Sequence, residues 1–198
     1  DGSLTITPRT VVMTSADDEK VYNGTPLTNG TVTVTGDGFV KDEGASYNVT
    51  GSQTLVGSSD NEFTYTLKDN TKAGNYTITT EKGKLKVTAE ENEVIVKIKG
   101  SQETHKYDGT EYTVTGYKVV SISNKLYTEA DFIFKGKAEV KGTDAKTSYM
   151  MGLTSADFEN TSKNITNVKF EVEDGSLTIT PRTVVMTSAD DEKVYNGT

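Results

Sequence analysis

Short runs in which apolar and polar residues alternate recur along the whole chain. In Asn167–Val172 the apolar residues Val168, Phe170 and Val172 alternate with Asn, Lys and Glu. Strict alternation places all the apolar side chains on one face of a strand. The same pattern predicts five further strands: Thr31–Thr35, Glu62–Leu67, Asn75–Thr79, Lys84–Thr88 and Val94–Lys99.

Turn signals separate these runs, and helical signals are scarce. Only Tyr127–Phe132 and Thr154–Asn160 have helical character, and Thr128 and either Thr154 or Ser155 could cap them. Both stretches are too short to form helices without tertiary support. The pattern therefore predicts an all-β chain with tight turns at Asn23-Gly24, Asn29-Gly30, Asp37-Gly38, Asp108-Gly109 and Asp174-Gly175.

An exact repeat organises the chain. Residues Asp1–Thr25 and Asp174–Thr198 have the same sequence, letter for letter, so the period is 173 residues (174 minus 1). Repeats of this kind point to an array of similar units. We therefore expect the parent protein to continue beyond both ends of this chain.

A weaker similarity divides the period into an A-type and a B-type repeat. VYNGT at Tyr22 matches KYDGT at Tyr107, and Glu81–Thr88 matches Glu173–Thr180. Each repeat is about the size of a small domain. The predicted organisation is the last strand of a preceding B repeat at 1–7, an A repeat at 8–89, a B repeat at 90–180, and the first strand and turn of a following A repeat at 181–198.

Each repeat is predicted to be a small antiparallel β-sandwich, immunoglobulin-like in the broad sense. A β-grasp-like sheet with one short helix is the alternative for the B repeat. The terminal segments 1–7 and 181–198 are expected to pair with a neighbouring chain or to stay mobile. The short junction Thr180-Pro181-Arg182 contains a proline that restricts the backbone. We therefore expect a semi-rigid rod in which each domain adds roughly 30–40 Å.

The amino-acid composition restricts the classes of function that the chain could have. The 198 residues include no Cys, no Trp and one His, the net charge is −8, and hydrophobic residues make up 33%. A lean core of this kind suits small domains. The acidic balance argues against nucleic-acid binding, because phosphates attract basic surfaces. No apolar run approaches the roughly 20 residues of a membrane span.

No residue set predicts catalysis or a cofactor. His105 aligns with Lys20 of the A repeat, which is typical of an exposed strand position rather than of a general base. Asp17-Asp18-Glu19 and its copy Asp190-Asp191-Glu192 lack the spacing of an EF-hand loop and are interpreted as solvated turns. An interdomain calcium site that also uses Glu90-Glu91 is the alternative. Composition also permits a Lys–Asn or Lys–Asp isopeptide bond, but no triad is recognisable.

The YNGT and YDGT motifs are the clearest local signals. Asn-Gly and Asp-Gly supply the positive φ of a tight turn, which favours a structural role. If the repeat itself bound a glycan or a host protein, an exposed aromatic patch would be needed. The candidates in the B repeat are Tyr112, Tyr117, Tyr127 and Tyr149.

KVYNGT and HKYDGT, together with the ending GNYTITTEKGKLKVT, resemble the tandem YDG/MBG-type repeats of bacterial surface adhesins. The resemblance covers nearly the whole chain. It implies an extracellular protein on the cell wall of a Gram-positive bacterium and transfers no catalytic residue. The expected function is a structural stalk that projects a terminal binding domain, with neighbouring repeats of the same chain as partners. A repeat that binds a host glycan or protein is the alternative.

Overall fold

The computed structural model describes residues 2–197, and β-strands are the dominant regular structure in this range. Eight strands lie before residue 90: β1 Arg9–Ser15, β2 Asp18–Val21, β3 Val32–Gly36, β4 Ala45–Val49, β5 Gly57–Asp60, β6 Phe63–Leu67, β7 Tyr76–Glu81 and β8 Lys84–Thr88. Ten follow: β9 Val94–Gly100, β10 Gln102–Lys106, β11 Tyr112–Thr115, β12 Tyr117–Ile122, β13 Phe132–Phe134, β14 Glu139–Gly142, β15 Lys146–Met150, β16 Phe158–Asn160, β17 Val168–Glu173 and β18 Ser176–Thr180. The prediction of an all-β chain is confirmed.

The alternation of apolar and polar residues in the sequence corresponds to an alternation of buried and more exposed side chains along the strands. In β1 the side chains of Val11, Met13 and Ser15 are buried, while Val12 and Thr14 between them are partly exposed. Successive side chains of a strand point to opposite faces, so one face of β1 enters the core. The six strands predicted from alternation all appear, one with unchanged ends and the others with at least one end shifted by one or two residues.

In the first half of the chain, β1 lies between β3 and β7, and β8 lies between β2 and β5. The β1–β3 and β8–β5 pairs are antiparallel, whereas the β1–β7 and β2–β8 pairs are parallel. Strands β4 and β6 form a separate antiparallel pair, and Leu27 and Gln53 form an isolated antiparallel bridge.

The second half repeats this order of strands. β9 lies between β12 and β17, β18 lies between β10 and β15, and β13 neighbours β16. The β11–β14 pair corresponds to the isolated bridge of the first half. The β10–β18 pair is parallel, like β2–β8, and the β15–β18 pair is antiparallel, like β5–β8.

The expectation of a purely antiparallel arrangement was wrong for three strand pairs, β1–β7, β2–β8 and β10–β18. Alternation within a strand indicates which face is buried. It does not indicate whether the neighbouring strand runs parallel or antiparallel. Parallel partners need a long crossover connection, and here most of a half-period of chain lies between the two strands.

The two stretches with helical character form only single 3₁₀ turns, Glu129–Asp131 and Ser155–Asp157, and a third turn covers Ala73–Asn75. Thr128 and Thr154 begin capping boxes, in which each threonine shares hydrogen bonds with the aspartate three residues later. The described residues therefore contain the predicted caps but not the short helix of the β-grasp alternative.

By density of contact the chain divides into two units. The first comprises Asp1–Ile95, Ile122–Ile133 and Asn160–Lys169, and the second comprises the remainder. The first unit has two apolar clusters, Val11 with Met13 and Tyr76, and Leu27 with Leu85 and Val87. In the second unit the buried cluster consists of Val114, Val140, Leu177 and Ile179. The predicted repeat boundary at residues 89 and 90 stays a prediction.

The terminal segments form no strand in the described chain. Residues 2–8 and 181–197 lack regular structure, and nearly all of their side chains are exposed. Among the described residues there is no helix with the length and apolar character that crossing a membrane would require.

Candidate functional site

The two tyrosine-glycine turns occupy the same place in the two halves of the chain. The Tyr22 N–H donates to the Thr88 carbonyl at 2.8 Å, and the Tyr107 N–H donates to the Thr180 carbonyl at 2.9 Å. Each turn therefore follows the strand that pairs in parallel with the last strand of its half, β2 with β8 and β10 with β18.

In the first turn, the Asn23 side chain holds the backbone in place. Its Oδ1 accepts hydrogen bonds from the Thr25 N–H at 3.1 Å, the Thr25 hydroxyl at 2.8 Å and Lys20 Nζ at 2.8 Å. Gly24 has φ +78°, a conformation that L side chains rarely adopt. This is an Asx turn, as the Asn-Gly pair predicts.

In the second turn, Asp108 has the role of Asn23. Its Oδ1 accepts from the Thr110 N–H at 2.8 Å, its Oδ2 accepts from the Tyr112 hydroxyl at 2.9 Å, and Gly109 has φ +84°. These two donors, the backbone amide first, lower the pKa of the Asp108 carboxyl below its usual range. The same carboxylate raises the pKa of Tyr112.

The surroundings of the two glycines differ. A Cβ built on Gly24 would lie 2.7 Å from Cδ2 of Leu126, which belongs to the same unit, whereas a Cβ on Gly109 would have nothing within 4 Å. Elsewhere in the same unit the Val56 N–H donates to Asn164 Oδ1 at 3.0 Å, and Glu90 forms a parallel bridge with Ile165. The YNGT turn thus packs closely against a later segment of the chain.

His105 has the register position predicted for it. It pairs with Ile179 in β18 as Lys20 pairs with Val87 in β8. Its ring stacks on Tyr112 with centroids 3.8 Å apart, and its Nε2 lies 2.9 Å from Oε2 of the exposed Glu103. These contacts support a strand and require no chemistry from the imidazole.

The three acidic side chains of the cluster in the first half each contact another residue of the chain. Asp17 Oδ1 accepts from the Lys84 N–H at 2.6 Å, Asp18 Oδ2 accepts from Asn29 Nδ2 at 3.0 Å, and Glu19 lies 3.1 Å from Lys86 Nζ. Nowhere in residues 2–197 do three or more His, Asp or Glu side chains gather in a group that could hold a metal ion. The second copy of the cluster, at 190–192, lies in the exposed terminal segment.

The four tyrosines proposed for an aromatic patch do not form one patch, although Tyr112 and Tyr149 pack on the same apolar cluster. Tyr127 is buried, and its hydroxyl donates to Asn160 Oδ1 at 2.9 Å. Burial, with a smaller contribution from Asp131, raises the pKa of Tyr127 to about 12. Tyr117 packs against Phe134 and Phe158. Tyr149 and Tyr112 both pack on the Val114 cluster, and Tyr112 also stacks on His105.

A buried polar group that the sequence did not indicate lies in the first unit. Asn61 is fully buried, and its Nδ2 donates to the carbonyls of Ala16 and Asn29 at 3.0 and 2.9 Å. The buried Ser15 hydroxyl donates to the Asn61 carbonyl at 2.6 Å and accepts from the Gly83 N–H at 3.0 Å. The Asn61 Oδ1 atom is also buried and accepts no hydrogen bond from the described residues. No pattern of alternation distinguishes Ser15 and Asn61 from surface Ser and Asn, because the backbone groups that bond to them are distant in the sequence.

A surface depression with a volume of about 340 Å³ lies beside Ile6, Val40 and Tyr76 in the first unit. The polar groups at its rim already have partners. The Arg9 guanidinium donates to the carbonyls of Asp37 and Gly38, and Glu43 accepts from the Tyr76 hydroxyl. The depression therefore offers an apolar surface without a convergent set of polar groups.

Comparison of the chain with protein-family models, with curated proteins and with solved structures found no match.

Proposed function

We propose that this chain is a non-enzymatic spacer segment of a bacterial surface adhesin, built from an A-type and a B-type β-domain in tandem. The domains are immunoglobulin-like in the broad sense, and their role is to hold a terminal binding domain away from the cell wall. The partners of each domain are its neighbours in the same chain.

One observation supports this proposal most strongly. The order of strands in residues 9–88 recurs in residues 94–180, and residues 1–25 recur letter for letter at 174–198. In arrays of this type each unit contacts its neighbours, and the property that increases with copy number is length. The similarity of KVYNGT and HKYDGT to YDG/MBG-type repeats points in the same direction.

The side chains that could take part in catalysis or ligand binding make contacts that support the fold. His105 stacks on a tyrosine, Asp108 closes a turn, and Tyr127 is buried with its hydroxyl hydrogen-bonded. We therefore place the alternative, a repeat that itself binds a glycan or a host protein, second. It would gain support only from a surface that several copies build together.

Small-angle scattering on one period and on two periods in the same buffer tests the spacer function. We expect the maximum dimension to increase by roughly 60–80 Å for the added pair of domains, at roughly 30–40 Å each. Growth mainly in width, with little gain in length, would overturn the spacer proposal. A glycan array probed with the two-period protein would then be the next measurement.

A further inference from the structure

The strands at the two ends of the first half run side by side in the same direction. β1 pairs with β7 over six residue pairs, from Arg9↔Tyr76 to Thr14↔Glu81. β2 pairs with β8 over four, from Asp18↔Leu85 to Val21↔Thr88. The chain therefore enters this half through strands that are parallel to those through which it leaves.

Parallel pairing decides how the strands respond to tension along the chain. The chain enters β1 at its N-terminal end and leaves β8 at its C-terminal end. Tension applied at these two points pulls the paired strands in opposite directions along their common axis. All the hydrogen bonds of the ladder, which are evenly spaced in a parallel pair, are then loaded together. A pair pulled apart from one end instead opens one hydrogen bond at a time.

The second half has a parallel pair at the place of β2–β8. β10 pairs in parallel with β18 over five residue pairs, from Gln102↔Ser176 to Lys106↔Thr180. The Tyr107 N–H adds one more hydrogen bond at the C-terminal end, where it donates to the Thr180 carbonyl. The corresponding bond of the first half runs from the Tyr22 N–H to the Thr88 carbonyl.

The β2–β8 and β10–β18 ladders are sheltered from water on one face. β8 and β18 each lie between two other strands, and their inward side chains Leu85, Val87, Leu177 and Ile179 are at most 2% exposed. Burial of this kind limits the access of water to the backbone bonds that hold the terminal strands. On the outer face, Lys86 of β8 lies 3.1 Å from Glu19 of β2 across the pair.

We propose that the parallel pairs β1–β7, β2–β8 and β10–β18 are mechanical clamps that keep each half folded when the chain is pulled from its ends. The inference deepens the proposed spacer function, since a stalk that holds a cell to a surface carries load. It rests on the register of the strands, however, and can be tested separately from the shape of an array.

Single-molecule pulling on the full chain tests the clamp in its first half. The protein has no cysteine, so pairs of introduced cysteines give unique handles. Gly2→Cys with Ala89→Cys pulls along the parallel ladders. Gly2→Cys with Gly74→Cys pulls Arg9 and Tyr76 apart from the end at which both strands begin. A Cβ at Gly2 or Gly74 meets nothing within 4 Å, so these handles should leave the fold intact.

We expect a several-fold higher rupture force for the 2–89 handles than for the 2–74 handles. The 2–89 rupture should also release roughly 270 Å of chain in a single step, because the clamp protects the whole stretch 9–88. Equal forces in the two geometries, or a lower force for 2–89, would overturn the clamp. A rod that scatters as a long particle and yet ruptures at low force would retain the spacer function and refute only this inference.

Discussion

Residues 9–15 and 182–188 have the same seven-residue sequence but different structures. In the first copy Val11 and Met13 are fully buried in β1, whereas in the second copy Met186 is 91% exposed and no strand forms. The N-terminal part of the repeat shows the reverse case, because Leu4 is 88% exposed while its copy Leu177 is fully buried. Because the local sequence is identical within each pair of copies, the difference in burial comes only from the strands that are available to pair with each copy.

The partners are easily named. β1 lies between β3 and β7, and the chain contains those two strands once, already paired with the first copy. A single strand cannot bury its apolar face or satisfy its backbone groups without neighbours. The comparison thus shows that alternation gives a segment the capacity to form a strand, and that neighbouring strands decide whether it does.

The largest expected difference is in the free energy of unfolding of the Met13→Ala and Met186→Ala variants. Truncation of the fully buried Met13 should lower the free energy of unfolding by about 2–5 kcal/mol, because a cavity replaces packed atoms. The same change at Met186 should stay within about 0.5 kcal/mol, because that side chain is exposed. Urea denaturation followed by circular dichroism measures both. Similar losses in the two variants would mean that the second copy is also packed in solution.

The next effect concerns the hydroxyl of Ser15 and of its copy Ser188. Ser15→Ala leaves the Gly83 N–H and the Asn61 carbonyl without the partner they have in the core, which should cost about 1–3 kcal/mol. Ser188 is exposed, and Ser188→Ala should be neutral. Hydrogen exchange of the Gly83 amide gives a local readout, with faster exchange expected in Ser15→Ala only. Unchanged exchange in that variant would contradict the assigned bond.

A smaller effect should distinguish Gly24→Ala from Gly109→Ala and Gly197→Ala. All three glycines have positive φ, but only Gly24 has a neighbouring side chain, Leu126, within 3 Å of a built Cβ. Gly24→Ala and Gly109→Ala share a backbone strain of about 1–2 kcal/mol. Gly24→Ala should in addition speed hydrogen exchange at the Leu126 amide, which donates to Asn124 Oδ1 at 2.9 Å, because the new Cβ displaces the Leu126 side chain. Gly197→Ala should leave stability unchanged. Equal exchange at the Leu126 amide in the Gly24 and Gly109 variants would show that Leu126 does not depend on the turn.

The smallest effect is a shift in titration. Two hydrogen bonds from Thr10, the backbone N–H first and then the hydroxyl, lower the pKa of Asp37. A lowered carboxyl pKa contributes stability that is present above the unfolded-state pKa and is lost as the pH falls through the folded-state pKa. Thr10→Val should remove the hydroxyl bond and raise the pKa of Asp37 by a fraction of the original shift.

The copy provides the control for this titration, since Thr183→Val should leave the pKa of Asp37 unchanged. Carboxyl carbon chemical shifts followed by NMR across the acidic range measure both variants. An Asp37 pKa that does not move in Thr10→Val would assign the whole effect to the backbone amide.

Several features of the site were predictable because they depend on residues close together in the chain. Positive φ at Gly24 and Gly109 follows from the Asn-Gly and Asp-Gly pairs, and the caps at Thr128 and Thr154 follow from the spacing to an aspartate three residues later. The alignment of His105 with Lys20 was confirmed by register because it rests on a repeat within the sequence. The buried Asn61 and Ser15 were missed, because their partners are separated from them by tens of residues.

The amino-acid sequence by itself determined the strands with strict alternation, the turns at Gly24, Gly38 and Gly109, and the internal repeat, since each depends on side-chain period or on residues a few positions apart. The Asn29-Gly30 and Asp174-Gly175 pairs did not give the positive φ predicted for them. The tertiary structure alone decided that β2 runs parallel to β8 and β10 to β18, that Leu126 packs on Gly24, and that one copy of the repeat is buried while the other is exposed. These outcomes depend on which strands are available as neighbours. Two segments with identical letters therefore have different structures.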